Sequence, residues 1–127
     1  MYEICIIGGG ASGMAAALSI SMENPKLRIL LLEKKEKLGK KLAATGNGKC
    51  NISNNVLPSF GDTSRFFKSI GVEIKIDDEG RAYPVAEQAS EVVKALENTM
   101  KAYGIEIVTD CEVTDLKYDE NNGFEMR

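Results

Sequence analysis

Residues 4–33 of the chain, ICIIGGGASGMAAALSISMENPKLRILLLE, decide the fold. Ile4-Cys5-Ile6-Ile7 is an apolar run too short for a helix and closed by glycines, so it reads as a buried parallel strand. Gly8, Gly10 and Gly13 then supply G-x-G-x-x-G. Ala11 to Met22, rich in Ala, Leu and Met, predicts a helix packed on a sheet. The apolar run Leu27 to Leu32 predicts a second strand that ends at Glu33. Each position has a mechanical task. Gly8 allows the tight turn out of the strand, Gly10 lacks the Cβ that would hold a pyrophosphate off the backbone, and Gly13 lets the helix lie close to the strand. The Ala11 and Ser12 amides, at the positive end of the helix, are donors for phosphate oxygens. Glu33 stands 20 residues after Gly13, where a carboxylate accepts bonds from adenosine ribose hydroxyls. A glycine-rich turn between buried elements would share the bare fingerprint. The strand before it, the helix after it, the small Ala17 on the packing face and the acid at the end of the second strand favour dinucleotide binding. Glu33 also disfavours the 2′-phosphate of NADP. Lys34 beside it could soften that conflict, although a solvated lysine is the plainer reading.

The rest of the composition narrows the class. A chain of 127 residues with 43% apolar and 28% charged residues is an ordinary globular one, long enough for one domain with its own core. A net charge of -3 and a pI near 5.1 argue against a nucleic-acid partner, which favours a basic face. The one basic cluster, Lys34, Lys35, Lys37, Lys40 and Lys41, reads as a solvated face. No signal peptide and no span of the length a bilayer requires is visible. Cys5, Cys50 and Cys111 are odd in number, far apart and without metal spacing, so no metal site is expected and a cytoplasmic setting is the simplest. There is no histidine, which removes the commonest general base and the commonest metal ligand together.

Beyond Glu33, residues 34–44 have helical propensity interrupted by Gly39. Thr45 to Asn55, TGNGKCNISNN, is a dense loop able to expose backbone amides and to take positive φ at Gly46, Asn47 and Gly48. Standing alone it would read as a plain surface loop. A short helix is expected from Thr63 to Ile70, closed by Gly71. Val72 to Ile76 and Arg81 to Tyr83 flank the turn Asp77-Asp78-Glu79-Gly80 as a hairpin, and the three acids there read as a solvated turn. Ala89, Val92, Val93, Leu96, Met100 and Tyr103 fall on one face of a helix over 87–103, with Gly104 at its C′ position. Ile105 to Val108 predicts a third strand beside the second, in the 3-2-1 half of a doubly wound sheet. Glu112 to Tyr118, Asn121-Asn122-Gly123 and Phe124 onward predict a hairpin opening a small antiparallel meander. Cys5 should be a buried small hydrophobe, and Cys111 should open a strand.

GGGASGMAAAL together with EKKEKLGKKLAATGNGKCNISN resembles a family of bacterial flavoproteins known as NAD(P)/FAD-dependent oxidoreductases, which includes aminoacetone oxidases and reductases of conjugated enones in bile-acid-like steroids. Gly39 to Asn54 is similar, nearly residue for residue, to that family's second motif. Gly80 to Ser90, GRAYPVAEQAS, resembles a third. The stretch between Asn55 and Phe66 is shorter than in members of the family. Those members also continue well beyond the point matching Arg127, into a substrate domain and a second flavin-binding segment. The resemblance therefore implies that residues 1–127 form the N-terminal portion of an FAD-binding Rossmann-like domain: an α/β fold with a parallel sheet and a small antiparallel meander, incomplete here. It implies FAD as cofactor, and it places Lys41, Thr45, Gly46, Asn47, Gly48, Lys49, Cys50 and Asn51 along the ribityl chain or near the isoalloxazine. Cys50 has either a redox role or, more plainly, a packing one.

No acid–base pair is recognisable, and no catalytic residue is assigned. The function read from the sequence is the FAD-binding part of a flavin-dependent oxidoreductase that passes hydride between a nicotinamide or a small organic substrate and flavin, with NAD(P)H a candidate partner. Two other readings stand beside it. In one, NAD binds directly at the fingerprint, although a simple NAD domain has no use for the Thr45–Asn54 loop. Alternatively, the chain is a non-catalytic nucleotide-binding or interaction module. The sequence leaves the oligomeric state undetermined.

Overall fold

The computed structural model describes all residues from Met1 to Arg127. The order of elements is β1 (Ile4–Ile7), α1 (Ala11–Glu23), β2 (Ile29–Leu32), α2 (Lys40–Ala44), a 3-10 turn (Thr45–Gly48), β3 (Ser53–Asn54), α3 (Phe60–Ser69), β4 (Ile74–Ile76), β5 (Arg81–Pro84), α4 (Ala89–Ala102), β6 (Glu106–Val108), β7 (Leu116–Asp119) and β8 (Gly123–Met126). They fall into two compact units, Met1–Leu38 with Lys101–Arg127, and Gly39–Met100. The sequence predicts one domain over the whole length. In chain order the second unit lies between β2 and β6.

In the first unit β1, β2 and β6 form a parallel sheet in the order β1-β2-β6, with Ile4 opposite Ile29, Ile7 opposite Leu32, and Leu32 opposite Val108. This is the 3-2-1 half-sheet expected from the sequence. Helix α1 packs on β1 and β2. It buries Met14, Ala17, Leu18 and Ser21, which recur at helical spacing, while β2 buries Ile29, Leu31 and Leu32. The helix stops where the Asn24 amide returns to the Ile20 carbonyl at 2.8 Å and Pro25 follows. β7 and β8 make a separate two-stranded hairpin that pairs Leu116 with Met126 and Tyr118 with Phe124. The Asp119 carboxylate caps its turn by accepting from the Asn121 and Asn122 amides at 2.8 and 3.0 Å.

The second unit holds an antiparallel sheet in the order β3-β5-β4. In the β4–β5 turn Asp77 accepts from the amides of Glu79 and Arg81 at 2.9 and 2.8 Å and from Arg81 Nε at 2.7 Å. The acidic run is thus a hydrogen-bonded turn. Helix α4 buries Ala89, Val92, Leu96 and Met100 and carries the chain back into the first unit.

Several expectations need correction. Helix is absent over residues 34–38 and is confined to Lys40–Ala44. The carbonyls of Glu33 and Lys35 accept instead from the Cys111 and Asp110 amides at 3.0 and 2.9 Å, which holds this stretch against the exit of β6. Helix α3 begins at Phe60 rather than Thr63, because Gly61, a poor helix former, hides a first turn that Asp62 supports. Cys5 is only partly buried. Cys111 lies in the irregular stretch before β7, which begins four residues later than the alternation near Glu112 suggests. No helix is long and apolar enough to cross a membrane.

Candidate nucleotide-binding site

In the first unit Gly8, Gly10, Ala11, Ser12, Gly13, Glu33 and Lys34 gather at the carboxyl ends of β1 and β2, the edge at which sheets of this topology bind ligands. The chain leaves β1 with Gly8 at φ 110°, a conformation that L side chains rarely adopt, while the Gly8 amide stays bonded to the Leu32 carbonyl at 2.7 Å. Gly10 then serves as N-cap without any side-chain cap, and no acidic residue stands in the first turn. The first helical bond runs from the Met14 amide to the Gly10 carbonyl at 3.0 Å. The Ala11, Ser12 and Gly13 amides therefore have no partner within the helix. A Cβ built on Gly10 meets nothing within 4 Å, so no protein atom accounts for a glycine at this position. On Gly13 the same Cβ would overlap the carbonyl oxygen of Gly8, so that glycine serves the close approach of helix to strand. Free amide donors, the positive end of a 13-residue helix and open space over Gly10 fit a dinucleotide pyrophosphate.

Glu33 is held in place rather than waving in solvent. Its Oε1 accepts from the Gly9 amide at 3.0 Å and its Oε2 from the Lys35 amide at 2.8 Å. These bonds, the Lys35 one foremost and the Gly9 one next, hold its carboxyl below the usual carboxylate range, with the Lys35 and Lys34 charges helping. Each oxygen keeps a further lone pair, which is what a ribose diol needs. Lys34 is exposed. Beside Glu33 a hollow of about 320 Å³ opens between Ile7 and Gly8, Glu33 and Lys34, and the stretch Cys111–Val113 that follows β6.

Two features here escape the sequence reading. Gly9 is buried, its amide belongs to Glu33, and a Cβ on it would collide with the Leu38 side chain and lie 3.2 Å from Glu33 Cβ. Its only trace in the sequence is a third glycine in GGG. Cys111–Val113 reach the hollow through the β2–β6 pairing, and nothing local in their sequence marks them.

In the second unit Lys41, Thr45, Gly46, Asn47, Gly48, Lys49, Cys50 and Asn51 form a tight structure. Gly46, Asn47, Gly48 and Cys50 all have positive φ, at 57°, 58°, 82° and 62°. The Lys49 amide bonds the Gly46 carbonyl at 3.1 Å and the Cys50 amide the Thr45 carbonyl at 3.0 Å, while Thr45 Oγ1 donates to the Leu42 carbonyl at 2.7 Å. A Cβ on Gly46 would lie 2.8 Å from the Asn51 nitrogen and 3.0 Å from the Tyr83 ring, so the loop is packed shut at that point. Lys41, Thr45, Asn47, Gly48, Lys49 and Asn51 are exposed. Cys50 has no exposed surface, and burial pushes its thiol up, so it packs rather than reacts.

The family described as HI0933-like protein Rossmann domain matches residues 2–60. The 3-dehydro-bile acid delta(4,6)-reductase of Clostridium scindens is 37% identical across all of this chain. That alignment runs over 146 positions against 127 residues here, so the relative carries extra residues within the aligned region. The chain covers 35% of that relative, about a third of its length. Among solved structures, the 3-ketosteroid-delta4-(5alpha)-dehydrogenase of Rhodococcus jostii RHA1 has a TM-score of 0.71 at 14% identity, covering 99% of this chain and 42% of its own. Thermovibrio ammonificans THI4 has a TM-score of 0.69 at 18% identity, covering 98% and 45% respectively. Likeness at such identities speaks for the fold alone. Residues 2–60 thus match the HI0933-like Rossmann domain, and the chain carries a Rossmann-like fold shared with these proteins.

Proposed function

We propose that the chain binds FAD as part of a flavin-dependent oxidoreductase in which hydride passes between a nicotinamide or a small organic substrate and the flavin. The observation that carries this reading is the helix end at Gly10: three amides without helical partners beside a glycine whose missing Cβ nothing in the protein replaces. Gly8, Gly10 and Gly13 bring the backbone to the pyrophosphate, and the Ala11 and Ser12 amides donate to it. Glu33 accepts from the adenosine ribose and disfavours a 2′-phosphate, with Lys34 alongside. Lys41 and Thr45–Asn51 contact the flavin part, on the strength of the match between Gly39–Asn54 and flavoprotein sequences. Cys50 takes part only through its backbone, since its side chain has no exposed surface. When bound, the flavin supplies the hydride chemistry itself. The whole protein's substrate is a small organic molecule, with an NAD(P)H donor, and it works in the cytoplasm. The relative's action on a bile-acid skeleton makes conjugated steroid enones the first substrates to test.

The test is the visible absorbance spectrum of the purified protein before and after FAD addition and desalting. Flavin bands retained after desalting support the reading. A colourless protein that binds NAD or ADP-ribose but not FAD overturns it in favour of a simple NAD domain.

A further inference from the structure

Glu33 makes two bonds that a ribose ligand has no need to make. Its carboxylate spans the Gly9 amide, inside the β1–α1 turn, and the Lys35 amide, beyond the end of β2. The backbone around it is fixed as well: the Glu33 amide bonds the Val108 carbonyl at 2.9 Å, and the Glu33 and Lys35 carbonyls accept from Cys111 and Asp110. Leu38, 5% exposed, fills the position a Cβ on Gly9 would take. We propose that Glu33 is a positioning residue for the pyrophosphate loop as well as a ribose ligand: its carboxylate clasps the Gly8–Gly10 turn to the 33–35 segment and shapes the phosphate end of the site before any nucleotide arrives.

The proposal rests on the nucleotide-binding reading and adds to it a consequence that ribose binding alone does not have. Ionised carboxylate oxygens accept strong, charge-assisted bonds from backbone N–H groups. A glutamine at 33 keeps the length but offers one acceptor oxygen, so only one of the two amides is satisfied. An aspartate is one methylene shorter and cannot span both donors. Either change frees the turn and weakens ligands that touch only phosphate donors. The groups around the carboxyl are Lys34 and Lys35 on its own segment and Cys111 and Glu112 from the stretch after β6.

The experiment uses the full chain without nucleotide. Amide hydrogen exchange at Gly9 and Lys35 is measured in the unaltered protein, Glu33→Gln and Glu33→Asp, followed by titration of each with inorganic pyrophosphate, which has no ribose, and with ADP-ribose. We expect exchange to accelerate about tenfold or more at one at least of the two amides, Gly9 and Lys35, in each variant, as loss of a charge-assisted bond implies, and pyrophosphate affinity to fall with it. Exchange unchanged at both amides, or a loss confined to ADP-ribose with pyrophosphate binding intact, overturns the clasp. Should neither variant fold, the unaltered chain decides: the Gly9 and Lys35 amide resonances must shift together as the Glu33 carboxyl titrates in acid, and amides that do not follow it overturn the proposal. An intact clasp in a protein that binds no FAD would sink the functional reading and leave the clasp standing.

Discussion

Two glycines that look alike in the sequence answer to different demands. Gly10 has φ -82° and open space where a Cβ would go, so Gly10→Ala costs the fold little beyond ordinary propensity. We expect that variant to keep its circular dichroism and melting behaviour and to lose ADP and FAD affinity by at least tenfold. Full affinity in a folded Gly10→Ala protein would remove the helix end from the site. Glu33 gives a pH dependence of definite sign. Its carboxyl titrates lower in the folded chain than in the unfolded one, so its stabilising share is complete above the ordinary carboxylate range, near pH 4, and is lost as pH falls through the lower folded value. The stability difference between the unaltered protein and Glu33→Gln should be constant from neutrality to about pH 5 and shrink in stronger acid. Denaturant titrations across that range check it, and a difference that grows toward acid contradicts it. At this scale Gly8, Gly10, Gly13 and Glu33 were legible, because each answers to a spacing rule. Gly9 was not, since its neighbour Leu38 is supplied by a turn that no spacing rule describes.

The β1–α1–β2 element shows how close packing follows from one missing side chain. Helix α1 reaches the strand because Gly13 leaves room for the Gly8 carbonyl, and the apolar faces of Met14, Leu18, Leu31 and Ile29 then close without exposed surface. A methyl group at 13 would meet backbone, which cannot turn aside as a flexible side chain can. We expect Gly13→Ala to destabilise the chain by about 1–3 kcal/mol through overpacking, as measured by urea unfolding. Equal unfolding midpoints for Gly13→Ala and the unaltered protein would show that the helix rests elsewhere. Periodicity found β1, α1, β2, α4 and β6 with small errors at their ends. It failed over residues 34–38, where helical propensity lost to backbone groups of Glu33 and Lys35 engaged with residues 108–111. Propensity is local, whereas those partners lie more than seventy residues away in sequence.

At the scale of the whole molecule, the fingerprint glycines and Glu33 of the first unit precede Gly39–Met100 in the chain, and Cys111–Val113, which border the hollow beside Glu33, follow it. A ligand held there stabilises the folded chain by mass action, by about 2.7 kcal/mol at a hundredfold excess over its dissociation constant. We expect ADP at such an excess to raise the melting temperature of the unaltered protein and to raise that of Gly10→Ala by about half as much or less, since a tenfold weaker site keeps only about 1.4 kcal/mol of that stabilisation. The same rise in both would place the nucleotide away from the helix end. By itself the sequence determined the cofactor-binding fingerprint, the parallel half-sheet and the left-handed glycine loop, because each is written in short-range spacing: period two or 3.6 for the elements, fixed offsets for the glycines and the acid. Only the tertiary structure decided that Cys50 is sealed off, that Cys111–Val113 border the hollow, and that Glu33 grips the turn at Gly9. Those facts depend on which distant backbone groups come within about 3 Å of one another, a distance set by strand pairing and packing rather than by neighbours along the chain.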